Sequence, residues 1–194
     1  MDYSKEEIDK LMNNARYPLS SKYNPDWILQ NSMGSHSLWL VEALAQDMEL
    51  GKNMRVLDLG CGRAAGSIFM AREFGSEVWA VDRMNIATDN HKRAIEMDVG
   101  NNVYPICADA VELPFAEDFF DAVVSINSVF FYITDSDLLK EKILKYVKPG
   151  GQIGVIVPCF YEDYSENVPD ELKGLWHSDF NMWHTLAWWE NCFA

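Results

Sequence analysis

The strongest constraint on the fold of this sequence is an apolar run, Arg55–Leu59, that leads into a turn containing Gly60 and Gly62. A helical pattern follows, and then a second apolar run, Val78–Val81, which ends at Asp82, 22 positions after Gly60. This order is typical of a nucleoside-binding βαβ unit. The glycine turn lets the backbone approach the polar tail of a ligand, and the distal acid can bind ribose hydroxyls. The alternative for the glycines is a tight strand-to-helix turn that binds no ligand, and the alternative for Asp82 is a surface acid at the end of a strand.

Asp58, two residues before Gly60, indicates which ligand the turn suits. Its carboxylate would repel the pyrophosphate of a dinucleotide, because like charges at short range disfavour each other. It suits instead a ligand with an amino group and a sulfonium, such as S-adenosylmethionine. The turn alone is a weak signal, since Gly60-x-Gly62-x-x-Ala65 also fits a loose dinucleotide fingerprint.

Alternating apolar and amphipathic segments predict an α/β fold. The apolar runs are nearly continuous, which is typical of strands buried on both faces. Their alternation with helices predicts a Rossmann-like, doubly wound, mostly parallel sheet with helices on both faces and right-handed crossovers. The predicted strands are Arg55–Leu59, Glu77–Val81, Val103–Ala108, Ala122–Asn127 and Gln152–Val157. The predicted helices cover residues 5–15, 26–47, 64–74, 85–98 and 136–147, with a turn at 147–152 before the fifth strand.

We expect one domain with three segments. Residues 1–50 would form a helical segment that covers the cofactor site, residues 51–158 the cofactor-binding core, and residues 159–194 a helical segment on the substrate side or at an interface. The last segment would serve as core packing, as an interface, or as the wall of an apolar or cationic substrate pocket. Its tryptophans are Trp176, Trp183, Trp188 and Trp189.

Charge and composition exclude several classes of protein. A formal net charge of −14 leaves no basic surface for nucleic acid, so the expected partner is a small molecule. No apolar run approaches the length of a transmembrane helix, and the polar, acidic N-terminus is not that of a signal peptide. The four cysteines form no CxxC pair, so we expect reduced thiols, no metal site and a cytoplasmic protein.

Two later strand ends carry further candidate site residues. Asp109 follows the third strand and can meet the exocyclic amine of an adenine, with Ala110 leaving room for the ring; a helix cap by Asp109 is the alternative. Asn127 ends the fourth strand at the carboxyl edge, where open α/β sheets bind ligands. Phe130 and Phe131 would lie either near the sulfonium, which aromatic faces attract, or in the core.

In this order and spacing, the motifs resemble those of the class I S-adenosylmethionine-dependent methyltransferases over about residues 34–158. The chain is similar to the small-molecule enzymes of the ubiquinone-biosynthesis and cyclopropane-fatty-acid-synthase types. This resemblance implies transfer of a methyl group to a small-molecule acceptor. It also implies that Asp58, Gly60 and Gly62 contact the methionine end of the cofactor, Asp82 the ribose, and Asp109 and Ala110 the adenine, with the backbone of Asn127 beneath the cofactor. Cys61, within the glycine turn, and Arg83, which follows Asp82 beside the expected adenine, are further predicted cofactor-binding residues.

The sequence departs from the family pattern in three places. Ala64 stands where the family often has a third glycine. Asn127-Ser-Val-Phe130 replaces the Pro-Pro-Tyr type tetrapeptide of amino-directed DNA methyltransferases, which argues against DNA as a substrate. The antiparallel sixth and seventh strands have no sequence after the tryptophan-rich segment, so we expect them to be missing. The exposed edge strand would then invite homodimerisation.

Methyl transfer needs a general base only if the acceptor arrives protonated. The candidate residues are His36, Tyr132 and His177, and Met33–Trp39 is a further candidate contact region. Two other functions stay open. One is an NAD(P)-dependent oxidoreductase, against which Asp58 and the lack of a Tyr-x-x-x-Lys pair count. The other is a non-catalytic S-adenosylmethionine-binding or scaffold protein.

Overall fold

The computed structural model of the protein describes residues 4–164 and 168–194. The strands are β1 (Arg55–Leu59), β2 (Glu77–Asp82), β3 (Val103–Cys107), β4 (Phe120–Ile126) and β5 (Val147–Ile156). They form one parallel sheet in the order β3-β2-β1-β4-β5. The predicted parallel sheet is confirmed, and the described part of the chain has no sixth or seventh strand. The strand order reverses between β1 and β4, which is where open α/β sheets bind ligands.

Helices cover both faces of the sheet. They are α1 (Lys5–Met12), α2 (Pro25–Asn31), α3 (Ser37–Leu44), α4 (Ala65–Phe74), α5 (Ala87–Glu96), α6 (Ser136–Lys142), α7 (Asp170–Lys173) and α8 (Leu186–Phe193). Short 3₁₀ turns cover Ser20–Lys22, Val129–Phe131, Leu144–Tyr146 and Ser178–Met182. The longest helices, α4 and α5, have ten residues each, and none of the described helices is long and apolar enough to cross a bilayer.

Alternate residues of β1 point to opposite faces of the sheet and so divide the core in two. Val56 packs on the face of α3, α4 and α5, together with the fully buried Phe69. Leu57 packs on the other face with residues of α6 and α8, among them Trp189. Asp58 shares the face of Val56, so its carboxylate lies beneath α3 and α4.

The prediction of one helix over residues 26–47 is wrong, because the chain leaves helical geometry between α2 and α3. Gly34 has φ +91° there, a left-handed conformation that favours glycine and that a helix does not contain. His36 then caps α3, since its Nδ1 accepts a hydrogen bond from the backbone N–H of Trp39 at 3.2 Å. We call residues 32–36 the strap.

β5 begins at Val147 and not at Gln152 as predicted. Val147 pairs with Phe120, and regular pairing resumes at Gln152, so residues 148–151 lie opposite Asp121 alone. The ammonium group of Lys148 is 2.5 Å from the Asp121 carboxylate. The predicted turn is therefore a bulge inside the strand. Local sequence does not reveal this, because the pair with Phe120 is a tertiary contact.

The tryptophan-rich segment packs on the face of the sheet opposite α3, α4 and α5. Trp189 of α8 is buried. The ring of Trp183 lies 4.6 Å from that of Phe180, 5.6 Å from that of Phe160 and 6.3 Å from that of Phe130 between centroids. Phe130 is itself buried. These contacts favour core packing for both tryptophans and for Phe130.

Candidate functional site

A small cavity lies at the carboxyl edge of the sheet, between the ends of β1 and β4. Its volume is about 60 Å³, which admits a small polar group. Sites that enclose a whole drug-sized ligand measure about 300–1,000 Å³. The strap and α3 line one side, and the glycine turn and the start of α4 line the other. The polar side chains that line it belong to Asn31, Ser35, Ser37, Asp58, Cys61, Arg63 and Asn127.

The glycine turn is shaped by close packing against the segment after β4. Gly60 has φ +73°, and a Cβ atom there would lie 2.3 Å from Cβ and Oγ of Ser128. The Ser128 hydroxyl is fixed because it donates to the Leu59 carbonyl at 2.6 Å. The N–H of Gly60 donates to the Val81 carbonyl at 2.8 Å and so ties the turn to β2. Ala64, in place of a third glycine, keeps left-handed geometry at φ +60°.

Asp58 is a buried carboxylate that opens into the cavity. The Ser67 hydroxyl donates to it at 2.5 Å, and no other group of the described chain does. Burial raises the pKa of Asp58, the Ser67 hydrogen bond opposes this shift and the charge of Asp82 adds to it, so that the pKa is about 6. An ionised carboxylate accepts about four hydrogen bonds. Asp58 can therefore accept hydrogen bonds from a cation in the cavity.

Asp82 ends β2, and its carboxylate organises the glycine turn. Its Oδ2 accepts the N–H of Gly62 at 2.9 Å, and its Oδ1 accepts the N–H groups of Met84 and Asn85, both at 2.8 Å. The side-chain amide of Asn85 adds a fourth donor at 3.0 Å. Within the described residues Oδ2 has a single donor, so it keeps a lone pair for a ligand hydroxyl. The ribose contact stays a prediction.

Arg83 and Asp109 lie together beside the ends of β2 and β3. The guanidinium is 3.4 Å from the carboxylate, and both side chains are substantially exposed. Oδ1 of Asp109 accepts the N–H of Val111 at 3.2 Å, and the described chain forms no helix there, so Asp109 closes a turn and does not cap a helix. Ala110 is half-buried beside it. The adenine contact of these residues stays a prediction.

Asn127 joins the end of β4 to the strap. Its backbone N–H donates to the Ile156 carbonyl at 2.7 Å, and its side-chain amide donates to the Ser35 hydroxyl. Asn127 also has φ +53°, a left-handed turn that directs the chain past the cavity. Cys61 lies across the cavity, where burial raises the pKa of its thiol. Phe131 is exposed, whereas Phe130 is buried in the core.

The two candidate histidines have capping roles in the structure, and neither lines the cavity. The His36 ring stacks on that of Trp39 at 4.0 Å between centroids, and burial lowers its pKa. Because Nδ1 of His36 accepts a hydrogen bond from the backbone N–H of Trp39, the neutral ring carries its proton on Nε2. His177 accepts the N–H of Asp179 at 3.2 Å and is exposed. Their catalytic roles stay predictions.

Tyr132, the third candidate base, lies in a hydroxyl cluster behind the glycine turn. Its hydroxyl is 3.1 Å from that of Ser125 and 3.2 Å from that of Ser128. Burial raises the pKa of Tyr132 to about 12, so the phenol keeps its proton near neutral pH. The hydroxyls of Ser125 and Tyr132 hold Ser128 in place, and Ser128 packs against the glycine turn. Catalysis by Tyr132 stays a prediction.

Sequence reasoning missed three of the polar groups at the cavity. Asn31, on α2, and Arg63, after the glycine turn, both line it, and Ser67 holds Asp58. A signal existed for Asn31, because it follows Ile28 by three positions and so lies on the buried face of α2. The predicted contact region Met33–Trp39 is only partly at the cavity.

Comparisons with known proteins agree with this geometry. A family model described as a methyltransferase domain matches residues 56–151. The demethylmenaquinone methyltransferase of Listeria monocytogenes serotype 4a is 31% identical over 168 residues, which cover 84% of this chain and 65% of that protein. A sterol 4-C-methyltransferase of Caenorhabditis elegans is 28% identical over 138 residues, which cover 71% of this chain and 41% of that protein.

A solved structure shares the fold. Geranyl diphosphate C-methyltransferase from Streptomyces coelicolor A3(2), in complex with Mg²⁺, geranyl diphosphate and S-adenosyl-L-homocysteine, aligns with a TM-score of 0.66 at 21% identity. The alignment covers 80% of this chain and 57% of that one. The chain thus spans between about two fifths and two thirds of the length of these three proteins.

Proposed function

Because the chain belongs to the class I S-adenosylmethionine-dependent methyltransferases, we propose that it transfers a methyl group from S-adenosylmethionine to a small-molecule acceptor. The observation that carries this proposal is Asp58, whose buried carboxylate opens into a cavity beside the glycine turn. A buried acid suits the ammonium of the cofactor and disfavours a pyrophosphate. The names of the demethylmenaquinone and sterol enzymes support a small-molecule acceptor.

The residues present fit this cofactor. S-adenosylmethionine supplies an electrophilic methyl group on a sulfonium when it is bound. In the proposed arrangement Asp58 accepts hydrogen bonds from the ammonium, Asp82 from the ribose hydroxyls, and Asp109 from the adenine amine. Because the leaving group is already good, much of the catalysis rests on orientation of the acceptor. No residue is assigned as a base.

The size of the cavity supports a division of the cofactor between two environments. About 60 Å³ suits the amino-acid end alone. The nucleoside would lie outside it, along the carboxyl ends of β2 and β3, where Asp82 and Asp109 are located. The N-terminal segment, residues 1–50, would then cover the amino-acid end through the strap.

The proposal extends to compartment and assembly. We place the protein in the cytoplasm, which the four unpaired cysteines support. The net charge of −14 supports a small molecule and not nucleic acid as its partner. A homodimer paired along the edge of β5 is the proposed assembly, because β4 is the sole described strand that pairs with β5. Light scattering of the purified protein would test this assembly.

Calorimetric titration with S-adenosylhomocysteine, with NADH in parallel, tests the proposed function. We expect saturable binding of S-adenosylhomocysteine and no binding of NADH. Binding of NADH alone would identify an oxidoreductase. Once binding is established, a radiolabelled methyl group should pass from S-adenosylmethionine to a member of a panel of apolar and amine acceptors. A cofactor that binds but is never consumed across that panel would favour a scaffold.

Replacing Asp82 with alanine is expected to weaken S-adenosylhomocysteine binding by roughly 1–3 kcal/mol, the cost of unpaired buried polar groups. It should also lower the melting temperature, because the N–H groups of Gly62, Met84 and Asn85 lose their acceptor. Calorimetry and thermal unfolding measure the two effects. Asp89→Ala, a change at a surface acid paired with Lys92, is the control and should alter neither. Unchanged affinity in Asp82→Ala would remove the ribose assignment.

A further inference from the structure

We propose that Asn31, at the end of α2, is a second binding residue for the ammonium of the cofactor, acting beside Asp58. This inference rests on the proposed function and extends it to the N-terminal segment. It makes the segment before the sheet part of the cofactor site and not only a cover for it.

Asn31 is a buried amide whose orientation is fixed. Its Nδ2 donates to the Trp27 carbonyl at 2.8 Å, one turn earlier in α2, so Oδ1 points the other way. The residue is 9% exposed and lines the same cavity as Asp58. No group in the described residues donates to Oδ1 of Asn31. This oxygen is not sealed off from the cavity, so it is free to accept a hydrogen bond from a ligand there.

Two acceptors at the cavity, the Asp58 carboxylate and Oδ1 of Asn31, have no cationic partner among the described residues. Asp58 receives one hydrogen bond, from Ser67, and forms no ion pair with a cationic side chain among the described residues. The one cationic residue of the lining, Arg63, directs a guanidinium N–H to the Gln30 carbonyl. A primary ammonium brings three N–H donors and a positive charge. It therefore matches a site built from a carboxylate and an amide oxygen.

Two contacts hold Asn31 over the turn, one with α2 and one with the strap. Arg63 contacts the carbonyl just before Asn31, and Asn127 donates to Ser35. A Cβ atom on Gly62 would lie 3.0 Å from the sulfur of Met33, so the strap rests directly on the glycine turn. The position of Asn31 thus follows from contacts made by α2 and the strap with two separate parts of the sheet edge.

The test compares two ligands on each variant. S-adenosylhomocysteine carries the amino-acid end, and 5′-methylthioadenosine lacks it. We expect Asn31→Leu to weaken S-adenosylhomocysteine binding about tenfold or more, since a hydrogen bond to a charged group is lost. Binding of 5′-methylthioadenosine should change less than about twofold, because it makes no contact with Asn31. Asn31→Ala is measured beside it, because the smaller side chain cannot overpack the cavity.

Gln30→Ala is the matched control, because it removes an exposed amide from the same helix and keeps the carbonyl that Arg63 contacts. It should leave both affinities unchanged. Equal losses for the two ligands in the Asn31 variants would overturn the inference and make Asn31 a support of the strap. Unchanged S-adenosylhomocysteine affinity would overturn it as well. Failure of the wild type to bind S-adenosylhomocysteine would instead contradict the proposed function.

Discussion

Replacing Asp58 with asparagine is expected to abolish S-adenosylhomocysteine binding and, at neutral pH, to stabilise the protein by about 1–3 kcal/mol. The raised pKa of Asp58, about 6, means that its charge opposes folding, because burial deprives the carboxylate of water. Asparagine has nearly the same shape and can still accept the hydrogen bond from Ser67. It removes the charge that the ammonium needs. Calorimetry and denaturant unfolding measure the two effects.

The stabilisation by Asp58→Asn should depend on pH in one direction. The pKa of Asp58 is raised from 3.8 to about 6, so between these values the native state holds more protons than the unfolded state. The stability of the wild type therefore falls as pH rises through this window. The advantage of asparagine should be near zero at about pH 4 and complete at about pH 7. A constant advantage across that range would contradict the assignment. Asp89→Asn serves as the surface control.

Replacing Gly60 with alanine is expected to destabilise the protein by roughly 2–5 kcal/mol and to prevent cofactor binding. The left-handed backbone at φ +73° costs an alanine about 1–2 kcal/mol. The new Cβ would also lie 2.3 Å from the Ser128 side chain, and overpacking typically costs about 1–3 kcal/mol more. The turn must shift to relieve this contact. Valine, which is larger and β-branched, should be worse.

Gly150→Ala separates the two contributions at Gly60. Gly150 has a similar φ of +79°, but a Cβ atom there meets nothing within 4 Å. Its substitution should cost only the backbone strain and leave cofactor binding intact. Denaturant unfolding of both variants, with calorimetry, gives the comparison. Equal destabilisation by the two changes would mean that Ser128 does not constrain the turn.

The features that local sequence determines were predicted well. The strand β1, the turn at Gly60 and Gly62, and the acid that ends β2 follow from an apolar run, from backbone freedom and from alternation with helices. The parallel sheet follows from the same alternation. Asp58 is predicted at the site because it precedes the turn. Side chains alternate along β1, so Asp58 shares the face of Val56, which packs against α3 and α4.

The features that depend on contacts distant in sequence were not predicted. The break at Gly34 was hidden by the helical spacing of apolar residues on either side of it. The early start of β5 depends on the pair between Val147 and Phe120. The spacing of Asn31 from Ile28 indicates that it faces the core, but its place at the cavity depends on how the strap rests on the turn.

The bulge in β5 has a consequence for how this fold tolerates changes in chain length. Residues 152–156 pair one to one with residues 122–126, whereas 148–151 face Asp121 alone. A residue gained or lost within the bulge can be absorbed there, because it changes no paired position. The aromatic residues that follow β5 would keep their places at the sheet edge. A change in length at residues 148–151, inside β5, is therefore expected to leave the substrate side of the site in place.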